Sequence, residues 1–520
     1  MSKMMVLRSL LASLALFVTG VSPGPATSQT RPPLTNLSQS SDLCPPLPTV
    51  PGDNIIVSSA ADLRDQAYDA AAGTTILIEP GLYAMQGSVH IVNDGIVLRS
   101  ETGNRSDVIL DFGGMESGHF GILIDADDVT TADLTIRHAQ DHGVSIQGRD
   151  RPKLYNLHIK DIGDQLVKVN PAGNGSENGL LACSRLEYTT SAPDSYTNGI
   201  SAHQAHGWIV RDNEWYRIRG NEGPTGPTIL FWSGSSDTVI ERNLLVDCYR
   251  GIAFGNPGHE GIDHSGGIVR NNFIYSSLEH DVAVEMVHAQ DWLAAHNTAI
   301  LLNPSPGLTW GMEARYSESQ GTFAYNLTNM DIWSDRDGAT ATMAGNVTNA
   351  QTSWFTNVVS GDLHLVATAT AVIDQAASLA DITDDFDGDA RPIGSAPDVG
   401  ADEYGLPPPA PVTDLHITKA ITNPSTLTAT LRWTAPTNAV TATLRYSNSL
   451  IVETNWNSAF LVADALAGDS KTYTTTVPYQ GHTVYFALKS QNAQGSWSNL
   501  SNNAFWPCWD VFVPLITKDR

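Results

Sequence analysis

The sequence predicts an all-β chain: a long right-handed parallel β-helix followed by a small β-sandwich. Three observations point there. Short strand-like segments, often opened by Gly, recur along the middle of the chain. Single Asn residues recur near turns; the five intervals between Asn213, Asn243, Asn272, Asn297, Asn326 and Asn346 run from 20 to 30 residues, about one solenoid coil. Gly is abundant, 43 of 520 residues, and only 16% of residues are charged, which suits short strands joined by many turns.

Taken from the N-terminus, Lys3 and Arg8 precede the apolar run Leu10 to Val18, and small residues and helix breakers follow. This is the layout of a signal peptide over residues 1–28; the run is too short to span a bilayer. A Ser/Pro/Thr-rich linker, 29–54, comes next. Ser58 to Ala72 has helical apolar spacing with Ser58 or Ser59 as the cap, and a short helix here covers the open edge of the first coil.

The repeating body runs over 55–405. One segment type reads GILID (121–125), GVSIQ (143–147), LVKVN (166–170), GISAH (199–203), TILFW (228–232), GIAFG (251–255) and VAVEM (282–286). Alternate residues such as Val144 and Ile146, or Val167 and Val169, would point inward. The second type carries the Asn, from Asn156 through Asn346, which tolerates left-handed backbone and can stack as an amide ladder. These stretches, with ILIEPGLY, VILDFGG and the terminal DFDGDARPIGSAPDVGADEYG, resemble the pectin-lyase-like right-handed β-helix superfamily over about two thirds of the chain. The resemblance implies a secreted protein with a polysaccharide as partner.

A Pro-rich linker (406–411) leads to 412–506, which resembles a fibronectin type III domain; Trp433, Tyr446, Tyr485 and Leu488 are its expected core. The last residues, 507–520, resemble surface-retention tails of exported bacterial proteins. Of the four cysteines, Cys44, Cys183, Cys248 and Cys508, Cys183 and Cys248 are read as buried small hydrophobes rather than a bridge. The net charge of −26 disfavours nucleic acid and anionic membrane as partners. The chain is expected to be a monomer without a membrane span once the leader is removed.

A solid β-helix has no room inside, so function must lie on an outer face. Aligning the inward residues gives two outward columns: Leu123, Ser145, Lys168, Ser201, Leu230, Ala253 and Ala283, and beside it Asp125, Gln147, Asn170, His203, Trp232, Gly255 and Glu285. Lys168, Asn170, His203 and Trp232 then share three coils, with His142 and Arg250 at the edge. Such a row suits a sugar acid: Trp232 as an apolar platform, Asn170 for hydroxyls, Lys168 and Arg250 for a carboxylate. The same set supplies the parts of β-elimination or C5 epimerisation. His203 or Lys168 would be the base and Arg250 the neutraliser of the carboxylate. His206, Arg217 and Arg219, in loops before TILFW, are secondary binding candidates with Glu285. A non-catalytic glycan-binding protein using the same face is the other reading. A two-carboxylate glycosidase is disfavoured, because Asp125 and Glu285 lie many coils apart.

No metal set is assigned in the site; His259, Glu260, Asp263 and His264 match no recognised spacing. Calcium is common on lyases of this superfamily. Asp384, Asp385, Asp387 and Asp389 resemble a calcium loop only loosely, lacking the Glu at its twelfth position, and read as a structural turn with calcium left open.

Overall fold

The computed structural model describes residues 43–48, 54–405, 408–492 and 497–507. The predicted leader, most of the first linker, residues 406–407 of the Pro-rich linker and the terminal tail from Cys508 on lie outside them. Among the described residues no helix is long and apolar enough to cross a membrane.

The body is a right-handed parallel β-helix. Three parallel sheets, one of 16 and two of 10 strands, run its length. The sheet that concerns function is called here the groove sheet. In chain order it contains Val89–Ile91, Ile122–Ile124, His142–Gln147, Gln165–Asn170, Asn198–His203, Pro227–Trp232, Arg250–Phe254, Val284–Val287, Trp310–Arg315 and Asp331–Arg336. Each strand pairs in parallel with the next coil, for example Val144 with Val167, Val167 with Ile200, Ile200 with Ile229 and Ile229 with Ile252. These residues and their i+2 partners up to Phe254 are essentially fully buried. Each such apolar side chain contributes roughly 1.5–3 kcal/mol by leaving water.

The glycines that open these strands have a common cause. A Cβ on Gly121 would lie 2.0 Å from the carbonyl oxygen of Gly143, and one on Gly251 2.1 Å from that of Ala283. At these glycines the chain approaches the next coil too closely for a side chain, whereas Leu166 and Thr228 hold the same place on other coils.

The Asn ladder is present, with one refinement. Asn213, Asn243, Asn272, Asn297 and Asn326 each pass an Nδ2–H to the Oδ1 of the next, the last to Asn346, at 2.9–3.0 Å. The left-handed residue is the one before each ladder position: Asp212, Arg242, Asn271, His296 and Tyr325 all have φ between 50 and 58°. Asn156 belongs to that left-handed column (φ 50°), not to the ladder. Ser184 extends the ladder instead, its N–H donating to Asn213 Oδ1.

The expected helix is Ala60–Asp69, capped by Ser59 Oγ accepting from Asp62 N–H at 3.1 Å. Leu63 and Ala67 are buried against the solenoid, whereas Tyr68 is exposed. The cysteine reading is corrected at one position. Cys183 forms a disulfide with Cys44 across 139 residues, while Cys248 is a free, buried thiol. Residues 43–48 are accordingly held against the solenoid: Tyr155 Oη donates to Pro45 O at 2.6 Å and Arg99 Nη1 to Pro48 O at 3.0 Å.

After the solenoid, antiparallel sheets of three and four strands form a small β-sandwich. Leu427, Leu431 and Trp433 pack against Leu444, Phe486 and Leu488 between them. Of the four residues expected in this core, Trp433 and Leu488 are buried, and Tyr446 and Tyr485 are half-buried.

Candidate functional site

The groove sheet carries its outward side chains in ladders set by the register just described. Lys168 lies between Ser145 and Ser201 in neighbouring coils. Gln147 pairs with Asn170, and His203 with Trp232. The structure therefore brings Lys168, Asn170, His203 and Trp232 onto one face.

Lys168 is not solvated there; it is only 5% exposed. Its Nζ donates to His203 Nε2 at 3.0 Å and to Ser201 Oγ at 3.2 Å. Trp232 Nε1–H donates to the same Ser201 Oγ at 3.3 Å. The Trp232 ring stands between the imidazoles of His203 and His259, 4.3 and 4.6 Å away. Because His203 Nε2 accepts from the lysine, its proton sits on Nδ1. On the other side, Asn170 and Gln147 both donate to Ser145 Oγ, at 3.1 and 2.9 Å.

Among the described residues no carboxylate lies within ion-pair distance of Lys168. Burial pushes its ammonium down to about 8, against a smaller pull from Asp164. Burial, and then the charge on Lys168, push His203 and His142 to about 4, so both are neutral at pH 7. Asp164 is pushed up to about 6 by burial and then by Asp141 and Asp194. A buried amine beside neutral imidazoles is poised to lose its proton near neutrality.

Two hollows flank this group. One, of about 190 Å³, is lined by Tyr196, Asn198, Ser201, Leu230, Trp232 and Arg250. The other, of about 310 Å³, is lined by Phe120, Leu123, His142, Ser145, Gln147 and Asn170. The exposed rings of Tyr196 and Phe120 belong to loops entering the sheet, where no periodicity marks them in the sequence.

Several expected residues fall elsewhere. Glu285 pairs with Ala253, not Gly255, so it stands in the Lys168 column, two residues from its sequence-derived place. There it is buried and forms an ion pair with Arg250, which also lies 3.5 Å from Asp281. Burial raises Glu285 to about 7 even with Arg250 beside it. Arg250 is thus engaged within the protein rather than free for a substrate carboxylate. His206 lies on the 16-stranded sheet, with Nδ1 3.0 Å from Ser236 Oγ. Arg217 is an exposed turn residue with φ 53°. Arg219 donates to Glu279 O at 2.7 Å and covers Tyr249. None of these three lines either hollow.

No protein-family profile and no curated protein matches the chain. Among solved structures it is similar to an alginate lyase from a Paenibacillus species, with 15% identity over 56% of this chain and 99% of that one and a TM-score of 0.34. It is also similar to a polysaccharide lyase from Pseudopedobacter saltans (12% identity, 58% and 94% covered, TM-score 0.28). A third similarity is to the catalytic unit of an α-1,3-glucanase from Streptomyces thermodiastaticus (13% identity, 57% and 69% covered, TM-score 0.33). All three are distant.

Proposed function

We propose that the chain is an exported or cell-surface protein whose groove holds a uronate-containing polysaccharide, with Lys168 removing the C5 proton in β-elimination or C5 epimerisation. The observation that carries this reading is the buried, carboxylate-free Lys168 on an outer face, held by His203. Burying an amine without a counter-charge costs stability, which marks such a group in a groove as a candidate for chemistry. The Cys44–Cys183 disulfide supports export, since disulfides persist in oxidising compartments.

In the reaction, neutral Lys168 takes the C5 proton while His203 Nε2 holds one of its N–H bonds and so aims the lone pair at the groove. In elimination the C5 electron pair forms the C4=C5 bond, the C4–O4 bond breaks, and O4 takes the proton from the lysine ammonium. In epimerisation a water on the opposite face of the ring protonates C5 instead, and the hydroxide so formed takes the proton from the Lys168 ammonium. Trp232 and Tyr196 offer stacking surfaces for the sugar rings, and Asn170, Gln147 and Ser145 offer hydrogen bonds to hydroxyls. Of the two bases that the sequence leaves open, His203 and Lys168, this scheme takes Lys168, and it leaves Arg250, paired with Glu285, out of the role of neutraliser.

The engagement of Arg250 by Glu285 favours a second reading, a non-catalytic glycan-binding groove using the same aromatic surfaces. Incubation with alginate, pectate and glycosaminoglycans, following the ultraviolet absorbance of the unsaturated uronate, separates the two. Product formed by the wild type and lost in Lys168→Gln, with polymer pull-down retained, is the expected result. Binding without product on any polymer, and without C5 inversion by NMR, would leave only the binding reading.

A further inference from the structure

Beyond the last coils, three chain segments bring metal-ligating side chains together. His364 lies on the strand Asp362–Leu365. Asp387 lies in a turn in which Asp385 Oδ1 accepts the N–H groups of Asp387 and Asp389 at 2.9 and 2.8 Å. Asp402 comes from the segment that closes the body. One potential ligand atom from each of His364, Asp387 and Asp402 lies within 4.8 Å of the other two. They border a hollow of about 290 Å³ that Asp389, Glu403 and Tyr404 also line.

A second observation points to a ligand. Asp402 is only 5% exposed, and its Oδ2 accepts Leu365 N–H at 2.6 Å. The hollow is lined by Asp402 together with His364 and Asp387, and among the described residues no hydrogen bond engages the other Asp402 oxygen, which leaves it available to a cation. The histidine is also backed in the way metal-bound histidines are. Asp362 Oδ1 lies 2.6 Å from His364 Nδ1, which leaves Nε2, 2.9 Å from Asp387 Oδ2, to face the hollow.

The loop of Asp384, Asp385, Asp387 and Asp389, read from the sequence as a structural turn with calcium left open, spends most of its carboxylates within the protein. Asp384 pairs with Arg242 and Arg270, and Asp385 is taken up by backbone amides, so of its four aspartates only Asp387 joins the group.

We propose that His364, Asp387 and Asp402 bind one divalent first-row transition-metal ion, with zinc as the type. An imidazole nitrogen with two carboxylates suits zinc, whereas calcium and magnesium take oxygen ligands. Such an ion ties together three separate chain segments, those that carry His364, Asp387 and Asp402.

The test uses the full chain, stripped with chelator and titrated calorimetrically with zinc chloride, with calcium and magnesium chloride in parallel. We expect one zinc per chain at micromolar affinity or tighter, a rise of several degrees in unfolding temperature, and at least tenfold weaker binding in Asp402→Asn and His364→Gln. Loss of folding in either variant, seen by circular dichroism, brings in Asp387→Asn at the half-exposed edge. The wild-type chain loaded with cobalt(II) needs no variant and is expected to show the visible band of an imidazole-containing site. No saturable zinc binding, zinc binding unchanged in the folded variants, binding of calcium but not zinc, or no cobalt band would each overturn the proposal.

Discussion

At the scale of single residues the groove is organised around the protonation of Lys168. With the amine pushed down to about 8, about a tenth of the chains carry it neutral at pH 7. Turnover governed by this base should rise with pH, nearly tenfold per unit below 7, and level off above about 8; kcat/KM profiles on whichever polymer is cleaved give the measurement. A flat profile between pH 6 and 8 would remove Lys168 from the proton transfer. His203 should affect the same profile indirectly: in His203→Ala the amine loses its acceptor, and we expect a fall of 10- to 100-fold in kcat with folding intact. Arg250 acts on stability instead. Arg250→Ala leaves Glu285 buried without its counter-charge, and breaking a buried pair costs about 3–5 kcal/mol, to be read from urea denaturation.

At the scale of elements the Asn ladder and the disulfide make separate predictions. Asn272 donates to Ile240 O, Arg270 O and Asn297 Oδ1 and accepts from Asn243, all within a buried turn. Asn272→Ala strands several of these groups, and at about 1–3 kcal/mol for each unsatisfied group it should cost at least 2 kcal/mol. Asn346→Ala, at the half-buried end of the ladder, should cost clearly less; equal losses in thermal unfolding would contradict the ladder as a source of stability. Reducing Cys44–Cys183 opens a long loop and, on the chain-entropy account, removes up to about 4–5 kcal/mol. The first sign should be protease cleavage near residues 43–48, which rest on the solenoid largely through that link. These elements also show what the sequence made legible. The coil period was readable because the Asn at one turn of the later coils answers a hydrogen-bonding need and the Gly at several corners a steric one. Lys168, Asn170, His203 and Trp232 fell together because each of their strands has just two inward apolar residues, which fixes the register. The register was misread at Val284–Val287, where apolar residues at 282, 283, 284 and 286 allow two phases after a long loop; Glu285, and with it the Arg250 pair, was misplaced. The bridge to Cys183 was hidden because Cys44 precedes the first coil, in a stretch without periodicity.

At the scale of the whole molecule, a solenoid this long buries polar groups that a small domain would leave in water, and several of them titrate. His264 is fully buried, stacked 3.9 Å from the Phe254 ring and 3.0 Å from Thr238 Oγ1. Burial, followed by the charge of His206, pushes it down to about 3. In the unfolded chain it takes a proton below about 6.5, but in the folded chain only near 3. Its contribution is therefore complete above pH 6.5 and is lost as the pH falls from 6.5 towards 3. Glu285 and Asp398, both raised to about 7, work in the opposite sense, since the folded state holds their protons more tightly and gains stability as the pH falls from 7 towards 4. The pH–stability curve of the wild type mixes these effects, so the informative quantity is its difference from His264→Gln. That difference should shrink in favour of the variant by about 1.4 kcal/mol per pH unit between 6.5 and 4, or about 3 kcal/mol in all. Urea midpoints for both proteins at pH 7, 5.5 and 4 measure it. Two curves that stay parallel across that range would mean that His264 takes up its proton without unfolding the coil around it.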